Sequence, residues 1–362
     1  MKRYPAYDPP EYVEWVPDPV LVAAFGETLQ RDPERRRVVE ALDEAALIGL
    51  YAGLLRTRLQ DVALKRWVRT GVISKAWLGT GEEAMTVGPV RALDRSRDLV
   101  IPMIRNAGAC AEMGMPVADG FRSYLGTADG PSGGRDLHAG ALAHRVLPPI
   151  SHVGDVVPVA AGMALVSRIR AEGFVVLTWI GDGSTKTGTA HEGLNFAAVQ
   201  KVPAVFVIHN NQVALGTRLG QSHLGEDFSE LPEAYGMAGA TFDGNNVLDA
   251  YAATRLAADR CRGGAGPVML VGTTFRMGGH ATHDEREARA LFPPEWFAAW
   301  GRKDPIGLYE EHLKRIGVAA SVLADEEARV EAEVSRAEAD ALGSRDASIP
   351  DPSRAVEGVY AE

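Results

Sequence analysis

Apolar residues recur along this chain in two rhythms. Over residues 39–70, Leu42, Ala46, Leu50, Leu54, Leu55, Val62 and Trp67 return at three- and four-residue steps, which predicts an amphipathic helix stopped at Gly71. Residues 82–92, 117–125, 158–171 and 247–262 read as further helices, with Gly162 and Ala164 on a close-packed face of the third and Gly263-Gly264 ending the fourth. Between them lie unbroken apolar runs at 99–102, 174–180, 203–208 and 267–275, the form taken by strands buried on both faces. Residues 241–246 read as a strand with a turn. Strand and helix alternate through the middle, which predicts an α/β fold: a mostly parallel sheet with helices on both faces and helical appendages at the two ends.

The polar stretches are equally informative. Residues 1–38 are rich in proline and charge and read as an extended arm. Residues 126–158 are too rich in glycine and aspartate for a core element and form a long loop of the kind that carries function. Residues 276–292 are charged and expected to be exposed. An Ala/Glu/Arg-rich helix is expected over 323–342, with an extended tail after it. The expected organisation is an arm (1–38), an α/β domain (39–317) and a C-terminal helix and tail (318–362).

Composition narrows the function classes. Of 362 residues 46% are hydrophobic, and the mean hydropathy of −0.09 suits a globular protein. A net charge of −10 argues against nucleic acid as a partner, since phosphate binding needs clustered Lys and Arg. No apolar run has membrane-spanning length, and the first residues lack the apolar core of a signal peptide, so a cytoplasmic location is expected. The two cysteines, Cys110 and Cys261, read as separate buried thiols.

Ligands of parallel sheets bind beyond the carboxyl ends of the strands. Three predicted strands end there in chemistry-bearing residues: Gly181-Asp182-Gly183, His209-Asn210-Asn211, and Arg276 followed by Gly278-Gly279-His280. Asp182 and Asn211 are 29 residues apart, enough for one crossover helix, so their side chains can meet on one small ion. A carboxylate, a carboxamide oxygen and a backbone carbonyl, with Val213 in reach, are hard donors that suit magnesium or calcium rather than zinc. Diphosphate oxygens and a water would complete magnesium's octahedron, and the flanking glycines let backbone amides approach phosphate. Either motif alone also fits a tight turn. Both at consecutive strand ends favour the ion site.

With these residues the sequence resembles the thiamine diphosphate enzymes, specifically the alpha subunit of the first component of 2-oxo acid dehydrogenase complexes. The resemblance runs from Leu42 to Gly317. It includes Gly81-Glu82-Glu83-Ala84, Arg105 with Gly108, Gly134-Arg135 with His138, Val153-Gly154 with Val157-Pro158, Gly193 with Asn195-Phe196-Ala197-Ala198, Asp243-Gly244, Thr274-Phe275-Arg276 with Gly279-His280, and Lys303-Asp304-Pro305-Ile306. It implies a thiamine diphosphate-binding fold. It also implies magnesium held by Asp182, Asn211 and the Val213 carbonyl, and Arg105 on the diphosphate. Gly181, Gly183 and Ser184 would lie at the phosphates, and Gly154 and Val157 against the aminopyrimidine. His280 would reach the diphosphate or the reacting centre, with His138 in the substrate-facing loop as a second catalytic histidine. Four positions depart from the pattern: Ile104 where a tyrosine is common, Lys186 after the GDG motif, Val213 where an aromatic residue is common, and Ala281 where a phosphorylatable serine often stands.

The resemblance further implies that the glutamate activating the aminopyrimidine belongs to a separate beta subunit, in an alpha2-beta2 heterotetramer. A lipoyl-bearing acyltransferase component would receive the acyl group of the 2-oxo acid. Pyruvate, a branched-chain 2-oxo acid and acetoin all remain open as substrates. A non-catalytic assembly subunit is a further reading, which Asp182, Asn211, Arg105 and His280 together disfavour. A nicotinamide or nucleotide binder is disfavoured because no G-x-G-x-x-G follows a strand.

Overall fold

The computed structural model describes residues 15–225 and 227–357. Five strands form one parallel sheet in the order β1-β2-β3-β5-β4: β1 (Leu99–Ile101), β2 (Val176–Gly181), β3 (Ala204–Asn210), β4 (Ala238–Asp243) and β5 (Val268–Thr273). Its central strands are apolar on both faces because helices cover both. On one face Val176, Ile180, Phe206, Ile208, Met269 and Val271 pack with helices Val156–Ile169 and Gly188–Val199. On the other, Leu177, Trp179, Val205, Val207 and Leu270 pack with helices Glu83–Arg91 and Val247–Arg262. The expected α/β class is therefore observed. Cys110 and Cys261 are buried free thiols, as expected.

The helices are numbered along the chain: α1 (Pro19–Gln30), α2 (Pro33–Glu40), α3 (Glu44–Arg69), α4 (Glu83–Arg91), α5 (Val117–Leu125), α6 (Val156–Ile169), α7 (Gly188–Val199), α8 (Val247–Arg262), α9 (Pro305–Arg315) and α10 (Ala320–Ala347). A separate helical core gathers α1, α3, α9 and α10 around Phe25, Leu54, Trp67, Tyr309 and Val330. The buried Arg58 of α3 pairs there with Glu83 and, at 3.1 Å, with Asp304, whose other oxygen caps α9 at Ile306 and Gly307. Among the described residues no helix is long and apolar enough to cross a membrane.

Three expectations need correction. The part of the 1–38 arm that lies within the described residues is helical where it was expected to be extended. Pro19 and Pro33 stand at the first helical position after the caps Asp18 and Asp32, where a missing N–H costs nothing, and Val22, Phe25 and Leu29 bury one face of α1. Residues 1–14 of that expectation lie outside the described residues. The 276–292 stretch begins buried: Arg276 is 3% exposed and donates to the carbonyls of Gly278 (3.0 Å) and Leu215 (2.8 Å), so its charge is satisfied by backbone oxygens. Gly162 has open space around its α-carbon, so within this chain it serves no close approach.

Candidate active site

The carboxyl edge of the sheet brings the predicted residues into one region. Gly181 of β2 is in register with His209 of β3, so Asp182 leaves its strand beside Asn210 and Asn211. The next strand over continues the edge: the Thr274 N–H donates to the Asn210 carbonyl (2.9 Å) and the Arg276 N–H to that of Asn211 (3.2 Å). After Asn211 the chain forms a small hairpin, Val213–Ala214 against Thr217–Arg218. This hairpin folds back on the GDG turn. A side chain on Gly183 would put its first carbon 2.6 Å from the Ala214 methyl, so only glycine fits.

Asp182 is 5% exposed. Its Oδ1 accepts the Gly183 N–H at 2.8 Å, while Oδ2 is buried with no hydrogen-bond partner. Burial pushes its pKa up; the Gly183 bond and the positive fields of His209 and Arg276 only partly oppose this. A buried carboxylate oxygen without a donor is costly, and a cation would satisfy it. The neighbouring Asn211 is fixed by a residue whose role the sequence did not disclose. Glu82, 1% exposed at the start of α4, accepts the Asn211 Nδ2–H at 2.9 Å, which leaves the amide oxygen of Asn211 as its acceptor face. The same carboxylate lies 3.2 Å from His209 Nε2 and 3.7 Å from Arg105 Nε. Burial alone would raise the Glu82 pKa; Arg105, His209 and the Asn211 bond outweigh it and hold the group ionised.

Arg105 sits on the short helical turn Ile104–Asn106 after β1. Its guanidinium donates to the carbonyls of Leu78 and, at 3.0 Å, His280, and lies 3.5 Å from His280 Nδ1. The His280 loop is fastened at both sides. Asp284 accepts the N–H groups of His280 (3.0 Å) and Ala281 (2.7 Å), and Thr282 exchanges two hydrogen bonds with the Ala76 backbone. Burial, followed by Arg105 and Arg276, lowers the His280 pKa to about 4, so the ring is neutral near pH 7 and can accept a proton.

A cleft of about 370 Å³ opens beside these parts, at His280 and at Ser184 after the GDG turn. His138, Gly154, Ser184 and His280 line it together, with Trp77, Met103, Ile104, Ile150 and Val153 supplying apolar wall. Gly154 has φ +91°, and a side chain there would overlap Thr187, the cap of α7. Val157 differs from its neighbours: its side chain is fully buried in the core under α6 and does not line the cleft. Lys186, unexplained by the motif, lies 2.9 Å from His223 Nδ1 and over the Phe228 ring, tying the GDG turn to the loop after the hairpin.

Among the described residues no cluster of three or more His, Cys, Asp or Glu side chains is arranged as a metal site. The donor set at the sheet edge is of a different kind, one carboxylate and one carboxamide with backbone, and it suits a hard cation that takes its remaining ligands from phosphate. The orphaned Asp182 oxygen, the hard donor set beside it and the adjoining apolar cleft fit a diphosphate-bearing cofactor with an apolar ring system.

Residues 53–349 match the family described as "Dehydrogenase E1 component". The chain is 32% identical over 287 residues to the 2-oxoisovalerate dehydrogenase subunit alpha of Bacillus subtilis, covering 78% of this chain and 86% of that protein. It is 31% identical over 283 residues to the 3-methyl-2-oxobutanoate dehydrogenase subunit alpha of Mycobacterium tuberculosis, covering 78% of this chain and 74% of the relative. To the pyruvate dehydrogenase E1 component subunit alpha of Porphyra purpurea it is 29% identical over 290 residues, covering 77% and 83%. Members of this family use thiamine diphosphate. The chain belongs to the dehydrogenase E1 component family, among the alpha subunits of 2-oxo acid dehydrogenases.

Proposed function

We propose that this chain is the catalytic alpha subunit of a 2-oxo acid dehydrogenase complex. It carries out thiamine diphosphate-dependent oxidative decarboxylation of pyruvate or a branched-chain 2-oxo acid, and the acyl group passes to the lipoyl group of an acyltransferase component. The observation that carries this reading is the pair formed by the unpartnered Asp182 carboxylate oxygen and the Asn211 amide, oriented by Glu82, at the ends of adjacent parallel strands.

Asp182 and Asn211 would hold magnesium, with the Val213 carbonyl as a third protein ligand. Arg105 would neutralise diphosphate charge, while Gly181, Gly183 and Ser184 bring backbone close to it. Gly154 would lie against the aminopyrimidine, and Val157 could reach it only through its backbone. When bound, thiamine diphosphate supplies a carbanion nucleophile for the 2-oxo carbonyl and an electron sink once carbon dioxide leaves. The chain's own residues orient that group, exclude water with the apolar wall, and provide a neutral His280 beside Arg105 to accept a proton. His138 is a second candidate at the cleft mouth.

The unit holding these residues is 39–317. Its activity would need a beta subunit, in an alpha2-beta2 heterotetramer, to supply the glutamate that activates the aminopyrimidine. Acetoin dehydrogenase and a non-catalytic assembly subunit are the alternatives. Co-expression with a beta subunit tests all three, with decarboxylation of pyruvate and 3-methyl-2-oxobutanoate measured against cleavage of acetoin. A 2-oxo acid should be preferred. A preference for acetoin would replace the substrate class, and absence of cofactor binding would leave only the assembly role.

A further inference from the structure

His138 stands in a constellation that its neighbours in sequence do not announce. Its Nδ1 lies 2.8 Å from Asp136 Oδ1, and its Nε2 lies 3.1 Å from Ser151 Oγ. The serine arrives from the far end of the long loop, 13 residues on. An ionised aspartate only accepts hydrogen bonds, so Nδ1 carries a proton; in the neutral ring Nε2 is then the acceptor, and the Ser151 hydroxyl donates to it.

Local backbone geometry holds the arrangement. The oxygen that accepts from Nδ1 also faces the His138 N–H (3.3 Å), closing a tight aspartate turn. Ser132 accepts the Asp136 N–H (3.0 Å) and donates to its carbonyl (2.6 Å). Gly133 and Gly134 precede this turn in the left-handed region (φ +63° and +82°), and a side chain on Gly134 would overlap Pro350. The His138 side chain is 11% exposed. Both His138 and Ser151 line the same cleft as His280 and Ser184.

We propose that Asp136, His138 and Ser151 form a proton relay at the mouth of the cleft, with Asp136 locking the tautomer in which His138 Nε2 accepts. The inference rests on the reading of this cleft as the active site. A proton leaving a group bound in the cleft passes to Ser151 Oγ as the serine's own proton passes to His138 Nε2. The imidazolium formed keeps its Nδ1–H on the Asp136 carboxylate, which offsets the new positive charge. The reverse movement returns the proton, and no electrons or co-reactant are needed. Asp136 acts through His138 and is a positioning residue.

Two readouts on the full chain assembled with a beta subunit test this. The first is independent of cofactor. Diethyl pyrocarbonate acylates an unprotonated imidazole nitrogen, and mass spectrometry follows His138, with His191 as internal control. In D136N the amide can donate to Nδ1 and reverse the tautomer, so labelling of His138 should slow by about tenfold or more. D136E should label like wild type, and S151A, which removes the hydroxyl donor, should label faster. The second readout is kinetic: D136N should lose about 100-fold in kcat with KM changed by less than about twofold, and D136E should recover most of it. Equal labelling in wild type, D136N and S151A overturns the tautomer lock. Altered labelling with unchanged kcat overturns the relay. A wild-type complex that decarboxylates no 2-oxo acid sinks the proposed activity, while the labelling still decides the lock.

Discussion

Glu82 shows how one buried side chain can organise a site it does not itself form. Its carboxylate holds Asn211 by the amide nitrogen and faces His209 and Arg105, so it couples the amide proposed to hold the cation to the guanidinium proposed to meet the diphosphate. Replacing Glu82 with alanine should free the Asn211 amide to rotate and leave Arg105 uncompensated. Cofactor Kd should rise by about tenfold to 100-fold, the range seen when a group supporting a metal ligand is lost; fluorescence titration at saturating magnesium would measure it. Asp61 gives a pH prediction. Burial, then repulsion from Glu83, pushes its pKa from 3.8 to about 7, against hydrogen bonds from Thr80 and Gly79. The folded state therefore holds the proton more tightly than the unfolded one. The stabilisation is complete below about pH 4 and is lost as pH rises through about 7. Melting temperature should fall between pH 5.5 and 8 in the wild type, and D61N should flatten that slope. Asp182 and Asn211 were legible in the sequence because each follows an apolar strand, and strand ends in parallel sheets converge on one edge. Glu82 was not, because its partner lies 129 residues away and only packing joins them.

At the scale of elements, the C-terminal helix and tail clasp the long loop that carries His138. The Ala128 N–H donates to the Ser348 carbonyl (2.7 Å), and Ser344 Oγ donates to Asp129 (2.8 Å). Arg122 of α5 reaches Asp340 at 2.8 Å, and Arg135 donates to the Arg354 carbonyl at 2.9 Å. A chain ending at residue 347 removes the Ser348, Pro350 and Arg354 contacts but keeps α10. It should fold with nearly unchanged melting temperature, become sensitive to proteolysis within residues 126–155, and show a raised KM for the 2-oxo acid. Unchanged protease sensitivity would mean that the loop holds itself. The periodic segments, α3, α4, α5 and α8, were readable because apolar spacing fixes the type of element; the break at residues 41–43, where Asp43 caps α3, was missed because Leu42 keeps the helical spacing. The N-terminal helices were misread from composition: proline counts against a helix interior but favours the first helical position after an aspartate cap. The buried start of the 276–292 stretch was missed for a related reason. An arginine looks exposed in sequence, and the carbonyls that accept from Arg276 are visible only once the chain is folded.

Over the whole molecule, the strand order explains why the site forms where it does. β2 and β3 run side by side, β5 returns next to β3, and their carboxyl ends deliver Asp182, Asn211 and the Arg276–His280 loop to one edge. The alternation of strands and helices made the fold class readable, but not that β5 would insert between β3 and β4, which depends on the crossover through α8. The Ser151–His138 contact was equally hidden, since it closes across an irregular loop with no periodicity. The central claim is that this edge holds a diphosphate through a cation on Asp182 and Asn211. Calorimetric titration of thiamine diphosphate into the chain assembled with a beta subunit, with and without magnesium, tests it directly, comparing wild type with D182N. Binding to the wild type should require magnesium. D182N should lose that requirement together with about 100-fold or more of the affinity, while its cofactor-free melting temperature stays equal to or above the wild type's, because an amide carries no buried charge. Binding that is as tight in D182N as in the wild type, or that ignores magnesium in both, would contradict the account.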